Sequence, residues 1–440
     1  MKVEKFWVRG YRSLRDVTLD GLCDFNIFYG PNGSGKSNIL DALHTFFGLM
    51  PLAVDTAYGP EEERLSFREG GRLAQAWVRD DDFFAREPAL PIILGALITD
   101  PTSGFEGALV KARPVQRVEV EIQVSRSRSN QFNLQVKRLF VNGRPPGLPF
   151  PDSDVRSLVR GLVPQAFTHV GVVRTLTVRT SLDGQIAEGR VVGTIPDGEL
   201  VQRLFEAKNS ADRSLRDRFD QVREFMAKAL HRGEFDVFMR SNKELELREK
   251  LPPPNPEDAD IPVDNAGHGI VQMYAIIATI MLAAGSLVAI EEPEAHLHAP
   301  TMGTELRTLL QQLNAEGRVQ QFFIATHSNL FDLDLTGYWD VALEDGETRV
   351  QRKPLDEIDR LHLFEPGPAK HQLQEMLRLY GNDVVFRAGD GRPVTAEEML
   401  LALQNDEGIA QAFLETLHAA AMQVTGLRAK RALESDGKAK

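Results

Sequence analysis

Residues Gly30-Pro31-Asn32-Gly33-Ser34-Gly35-Lys36-Ser37 fit the pattern G-x-x-x-x-G-K-[ST]. A loop of this kind turns its backbone N–H groups inward around a pyrophosphate, and glycines let the main chain come that close. The lysine brings a mobile cation to the β- and γ-phosphates, and the serine hydroxyl suits Mg²⁺. The pattern follows the short apolar run DFNIFYG and precedes SNILDALHTFFGL, whose apolar residues recur at helical spacing. A strand before and a helix after are the context in which the motif has meaning, because the helix turns its positive end toward the same anion. An incidental glycine turn with a lysine would need neither flank. Binding of a nucleotide follows.

Two further constellations supply the rest of a reaction. Leu287-Val288-Ala289-Ile290 runs into Glu291-Glu292-Pro293-Glu294. Carboxylates at the end of a buried strand are costly unless they face a cation or a polarised water. An acidic exit into a solvated loop would explain the two glutamates alone. In a chain that also holds a phosphate loop, the reading is Glu291 on the Mg²⁺ shell and Glu292 polarising the attacking water. Third, QFFIAT delivers His327 at its C-terminal end. A lone histidine is more often a satisfied surface or core group, but open parallel sheets bind ligands at that edge, and a γ-phosphate contact is its expected role.

The elements that must position these groups are legible in outline. KVEKFWV and RSLRDVTL read as strands, and 118–141 alternates in stretches such as VEVEIQV, which suggests antiparallel pairing. Residues 198–231 are helical by periodicity and rich in charge pairs, too short for a coiled-coil arm. LPPPNPEDADIP is a proline-rich acidic linker. After it the order helix, LVAI strand, helix over Met302 to Leu313, QFFIAT strand implies a parallel sheet with crossovers. The tail from about 355 reads as mostly helical, and no internal repeat is visible.

Composition narrows the class. The chain has 440 residues, 42% hydrophobic and 26% charged, with a net charge of −12. That is an ordinary globular composition, long enough for several domains. A single cysteine, Cys23, excludes an intrachain disulfide framework and a multi-cysteine zinc site. MKVEKFWVRGYRSL lacks the apolar core of an export signal, and the uncharged run Ile270–Ile290 is broken by Gly285-Ser286. A buried helix, a turn and a core strand explain that run, so the expectation is a cytoplasmic protein with no membrane contact.

With these residues in view, FYGPNGSGKSNILDALHTFF, AIEEPEAHLHAP and FFIATHSNLF resemble the ABC-type ATPases of the SMC, RecF and Rad50 class. More narrowly, the chain is similar to ATPases of the OLD (overcoming lysogenization defect) family and related bacterial anti-phage defence proteins. The resemblance covers residues 1 to about 350. It implies an α/β fold: an ABC-type P-loop ATPase head with a mixed sheet. An antiparallel, β-rich N-terminal lobe would join a parallel core sheet with flanking helices, a helical insertion and a helical C-terminal tail. The implied divisions are 1–195 (N-terminal lobe), 196–250 (helical insertion and return strand), 251–263 (linker), 264–350 (C-terminal lobe) and 351–440 (helical region).

Residue by residue, the resemblance makes Lys36 and Ser37 the Walker A contacts, within an ATP-binding stretch of Asn32, Gly33, Ser34, Gly35 and Asn38. Glu291 takes the Walker B aspartate's place with Ser37 on Mg²⁺, Glu292 is the catalytic glutamate, and His327 is the switch histidine. Arg12 matches a basic residue that these ATPases place near the nucleotide. Gly267-His268-Gly269 falls where the ABC signature opens a helix, with His268 where the family has serine; a glycine-containing helix start explains the two glycines almost as well. Gln165 and Arg174 are candidates for the Q-loop. With one Walker A and one signature per chain, an ATP sandwich needs a second copy, so a homodimer or a larger homo-oligomer is implied.

OLD-family nucleases add a C-terminal TOPRIM domain, but only 113 residues follow His327 and the tail from about 355 looks helical, so an ATPase subunit acting on a separate effector protein is expected. Residues 111–190 hold 13 basic and 6 acidic residues, a balance of +7 against −19 elsewhere. Arg126, Arg128, Lys137, Arg138 and Arg144 are candidates for a phosphate-tracking surface, although such runs are usually solvated sheet faces. Three functions are weighed. The first is a sensor or scaffold ATPase in anti-phage defence, triggered by DNA, RNA or a phage protein. The second is a RecF- or SMC-like DNA maintenance ATPase. The third is a non-catalytic module that ATP stabilises.

Overall fold

The computed structural model describes residues 1–58, 77–87, 89–100, 109–110, 113–126, 132–144, 166–171, 200–229, 233–239, 245–250, 260–263, 268–283, 285–295, 300–327, 336–353, 377, 383–388, 392–404 and 413. The chain divides into two units, Met1–Leu363 and Phe364–Lys440.

In the first unit, β1 (Lys2–Tyr11) and β2 (Leu14–Asp20) form a hairpin, and β3 (Phe25–Tyr29) leads through the phosphate loop into α1 (Lys36–Tyr58). β4 (Ile92–Thr99), the small β5–β6 pair (Leu109–Val110, Arg113–Pro114), β7 (Arg117–Arg126), β8 (Phe132–Val141) and β9 (Phe167–Val170) follow. The helices α2 (Leu200–Lys208) and α3 (Arg213–Ala229) precede β10 (Phe235–Met239), β11 (Leu245–Lys250) and β12 (Asp260–Pro262). Then come α4 (His268–Ala283), β13 (Leu287–Glu291), α5 (Pro300–Ala315), β14 (Gln321–Thr326), β15 (Thr336–Glu344) and β16 (Glu347–Arg352).

Two sheets dominate. One is antiparallel, in the order β2-β1-β4-β7-β8. The other runs β16-β15-β3-β14-β13-β9, parallel from β15 to β9, with β16 antiparallel at its edge. β10-β11-β12 form a third, small antiparallel sheet. The central strands are buried on both faces, which is why FNIFY and QFFIAT read as continuous apolar runs instead of alternating ones. Alternation is still present, but between two cores. Phe28, Ala289, Phe323 and Ala325 face the core shared with α1 and the antiparallel sheet; Ile27, Tyr29, Val288, Ile290, Phe322 and Ile324 face the core shared with α2 to α5.

The helices match their sequences. Among the described residues of α3, Phe219, Val222 and Met226 are the buried ones, a one-sided stripe in an otherwise charged helix. In α4 Met273 to Ala278 and Ile280 are all buried, so its lack of charge reflects burial on every side. The uncharged run ends this helix at Ala283, and β13 begins after Gly285-Ser286. Among the described residues no helix is long and apolar enough to cross a membrane. The helical stretch 198–231 is two helices with a break at Asn209–Asp212, where the Asp212 carboxylate accepts the Ser214 N–H.

One side chain stitches the two large sheets together. Buried Gln321, the first residue of β14, accepts the Val3 N–H at 2.8 Å and donates to the Val3 carbonyl at 2.9 Å, so its amide pairs with β1 as a strand would. The described part of the second unit holds a two-stranded pair, β17 (Val384–Arg387) and β18 (Pro393–Thr395), ahead of α6 (Ala396–Gln404). The periodicity of the tail predicted α6 but not that pair, which is short and carries no long alternation.

Candidate functional site

Parallel pairing decides the location of the site. Thr326 is in register with Tyr29, Ala325 with Glu291 and Ile290 with Val170. The residues that follow these strand ends therefore share one edge: Gly30 after β3, Glu292 after β13, His327 after β14. Three motifs separated by up to about three hundred residues of sequence meet there because of strand direction alone.

The phosphate loop is built as much by its neighbours as by its own glycines. Gly33 has φ +79° on an open side, a backbone demand. Gly35 has φ +102°, and a Cβ there would sit 2.0 Å from the Thr348 Oγ1 on β16. Thr348 in turn donates from Oγ1 to the Ser34 carbonyl at 3.0 Å. Its Oγ1 also lies 2.6 Å from the Ser13 Oγ, which accepts from the Asn38 Nδ2 at 2.7 Å. The β15–β16 hairpin thus backs the loop. Lys36 is buried and its Nζ donates to the carbonyls of Gly30 and Pro31, at 2.7 and 2.9 Å. Burial lowers the affinity of this ammonium for its proton, while Glu292 and Glu294 oppose that shift. Asn32, Gly33 and Ser37 are exposed, and Ser37 lies in the first turn of α1.

Arg12 and Asn38 have a different setting from the one expected. The Arg12 guanidinium donates to Asp82 at 2.8 Å, to Asp41 and to the Asn38 Oδ1 at 3.3 Å. Arg12 sits at φ +49°, held by its own N–H to the Asp82 carbonyl at 2.7 Å. These contacts brace the β1–β2 turn against α1.

Glu291 is buried at the end of β13, and its Oε1 lies 2.9 Å from the His169 Nε2 on β9. The donor atoms of Asp41, His169 and Glu291 all lie within 4.8 Å of one another. Arg12 bonds Asp41 and His169 lies against Glu291, so two of the three groups already have partners here. Burial raises the Asp41 carboxyl above its ordinary value, Arg12 opposes this and Glu291 adds to it. Glu292 turns the chain at φ +40°, its N–H bonded to the Ala325 carbonyl at 2.8 Å. His327 meets Glu294: its backbone N–H donates to the Glu294 Oε1 at 3.1 Å and its Nδ1 lies 3.5 Å from the same oxygen.

Asp41, His169, Glu294 and Thr348 are the residues that sequence reasoning missed. Two carried a signal: Glu294 is the third carboxylate of EEPE, and His169 is a polar residue inside the apolar strand FTHV. Of the signature, Gly269 is buried in the first turn of α4 and His268 opens that helix, while Gly267 lies outside the described residues, as do Gln165 and Arg174. Asp332-Leu333-Asp334, an Asp-x-Asp spacing after His327, lies outside them too. The basic candidates are dispersed. Arg126 pairs with Asp80 at 3.0 Å and Arg138 with Glu119 at 2.9 Å, Lys137 and Arg144 are exposed, and Arg128 is outside the described residues.

A family model for an AAA ATPase domain matches residues 1–86 and 192–331, more than half of the chain. The DNA replication and repair protein RecF of Acinetobacter baylyi is 50% identical over 44 residues, 10% of this chain and 12% of that protein. RecF of Geotalea daltonii is 42% identical over 43 residues, with the same shares. The chain thus matches only about an eighth of the length of these curated relatives. Among solved structures, the SMC head domain from Thermotoga maritima overlaps 81% of this chain and 100% of its own at TM-score 0.43 and 15% identity. The Smc head domain with an extended coiled coil, bound to the C-terminal domain of ScpA derived from Pyrococcus furiosus, overlaps 85% and 99% at TM-score 0.46 and 14% identity. At these values the overlaps are loose likenesses of fold.

Proposed function

The chain belongs to the AAA ATPase domain family, and from that premise we propose that it binds and hydrolyses ATP, with Mg²⁺, between two copies of itself. One observation carries the reading: the phosphate loop, Glu291-Glu292 and His327 come from three parallel strands and share one sheet edge. Lys36 would hold the β- and γ-phosphates. The Ser37 hydroxyl and the Glu291 carboxylate are hard oxygen donors of the kind Mg²⁺ takes, and they fit that ion. The ion, when bound, would neutralise phosphate charge. Glu292 would orient the attacking water and accept its proton, and His327 would contact the γ-phosphate.

The nearly all-apolar α4 opens with His268 and Gly269, and its start would supply the second half of the sandwich to a partner copy. On this reading the protein is a sensor or scaffold whose ATP-dependent assembly controls a separate effector in anti-phage defence. A second reading, DNA maintenance, is favoured by the short RecF matches. A DNA contact would then fall on Lys137 and its neighbours.

The test is direct. Lys36→Ala should weaken ATP binding by about a hundredfold or more, from loss of a charge-assisted phosphate contact. Glu292→Gln should slow hydrolysis by about a hundredfold or more while binding persists, so that an ATP-bound dimer accumulates on light scattering. Unchanged ATP affinity in Lys36→Ala removes the reading. Steady hydrolysis that Glu292→Gln abolishes removes the alternative of a non-catalytic module. Salt-sensitive duplex binding that Lys137→Glu weakens would favour the DNA reading.

A further inference from the structure

Glu294 takes no part in the function proposed above, yet its carboxylate is held by two hydrogen bonds at the strand edge. The chain leaves β13 through Glu292, whose left-handed φ of +40° turns it back. The turn is closed by the Ala295 N–H on the Glu292 carbonyl at 2.9 Å and tied to β14 by the Glu292 N–H on the Ala325 carbonyl at 2.8 Å. This brings Glu294 to the end of β14. There its Oε1 accepts from the Thr326 Oγ1 at 2.5 Å and from the His327 backbone N–H at 3.1 Å. The same oxygen lies 3.5 Å from the His327 Nδ1.

Burial separates this arrangement from a surface latch. The Glu294 side chain is 8% exposed, and Thr326 is fully buried. Its second oxygen, Oε2, is buried with no hydrogen-bond partner among the described residues. A buried carboxylate with one oxygen unmatched is an expensive choice for holding a loop, where an amide or a hydroxyl would serve. Its charge is therefore informative. The charge also reaches Lys36, whose ammonium is stabilised by Glu292 and Glu294 together.

We propose that Glu294 is a positioning residue that couples the Glu291-Glu292 loop to His327. One carboxylate oxygen accepts from the Thr326 hydroxyl and from the His327 N–H, which fixes the backbone from which the imidazole leaves the end of β14. Movement of the glutamate loop is then transmitted to His327 without a contact between Glu292 and the histidine. The inference rests on the ATPase reading and adds a residue to its site.

Glu294→Gln keeps the shape and the acceptor oxygen but removes the charge. It should lower kcat about tenfold, leave KM for ATP within about twofold, and leave the melting temperature near that of the parent chain. A readout independent of turnover is the backbone ¹⁵N–¹H signal of His327 in nucleotide-free protein, assigned with His327→Gln. The parent chain should show it displaced by the charge-assisted bond to Glu294, and Glu294→Gln should move it toward the ordinary amide range. If both kcat and that signal are unchanged, the inference is overturned. Should Glu294→Gln fail to fold, Thr326→Val removes only the hydroxyl donor. A fall in kcat of about threefold or more at constant KM supports the coupling, and unchanged kcat overturns it. Lys36→Ala separates the two levels. If it retains ATP binding, the ATPase reading itself fails; if it loses ATP while Glu294→Gln behaves as the parent chain, only the role of Glu294 fails.

Discussion

The parallel edge and the antiparallel sheet handle charge in opposite ways. At the edge, Lys36, Glu291, Glu294 and His327 gather from three strand ends and are buried or half-buried. Three of them meet partners distant in sequence, as His169 meets Glu291 and Glu294 meets His327, while Lys36 bonds the nearby Gly30 and Pro31 carbonyls. On the antiparallel sheet, charges are placed by local alternation and matched across neighbouring strands. Glu121 is in register with Arg138, Arg138 pairs with Glu119, and the Glu121 carboxylate accepts the indole N–H of Trp7 at 2.8 Å. Glu119 and Glu121 are already counted in the +7 of that stretch, and Arg126 is paired with Asp80 from outside it. Net charge over a window of sequence is a statement about composition, while a binding surface requires charges that neighbours leave unmatched. The family match does not follow this division, since over residues 1–86 and 192–331 it takes in β1 and β2 of the antiparallel sheet and leaves out β9 of the parallel one.

Perturbing the edge should cost more than perturbing the sheet. Beyond the effects of Lys36→Ala and Glu292→Gln, the largest loss of stability is expected from Gly35→Ala. The new Cβ would sit 2.0 Å from the Thr348 Oγ1 at φ +102°. Overpacking and backbone strain together should destabilise by about 3 kcal/mol in urea unfolding. Thr348→Ala in the same chain should recover part of that loss, because it removes the clash but not the strain. Additive losses would mean that Thr348 does not shape the loop.

A smaller effect concerns pH. His44 on α1 packs against Trp77, Phe167 and His169, and burial pushes it down to about 3 from 6.5, with His169 adding to the shift. Between those values the unfolded chain takes up a proton that the folded chain refuses. Stability contributed by neutral His44 is therefore present above pH 6.5 and is lost as pH falls toward 3, at up to about 1.4 kcal/mol per pH unit. His44→Gln should flatten the slope between pH 7 and 5 by that one proton, and an unchanged slope would mean that the ring is solvated. The smallest effect belongs to the sheet. Arg138→Glu sets like charges beside Glu119 and Glu121, but the side chain is half-exposed, so the loss should stay within about 1 kcal/mol. A loss as large as that of Gly35→Ala would show that the two regions do not differ in this way.

Much of the edge was legible from short range. The phosphate loop, the acidic strand exit and the histidine after QFFIAT each stand in a strand-end context that hydrophobic runs reveal, and β7–β8 were readable from alternation. What stayed hidden depends on register between segments far apart. His169 matters because β9 pairs with β13 so that Val170 lies beside Ile290, and Thr348 matters because β16 crosses behind Gly35. Arg12 shows the same limit from the other side: its position suggested the nucleotide, and its guanidinium is committed to Asp41, Asp82 and Asn38. The pair β17–β18 is too short to leave a periodic trace.

By itself, then, the amino-acid sequence determined which residues are candidates for phosphate, carboxylate and imidazole chemistry, because those depend on residue type and on spacing within one strand, turn or helix. The tertiary structure alone decided which groups hold them. Strand direction gathers the motifs on one edge and sets buried Glu291 and half-buried His327 against partners from other strands. Glu294 under the end of β14 and His169 beside Glu291 follow from that arrangement.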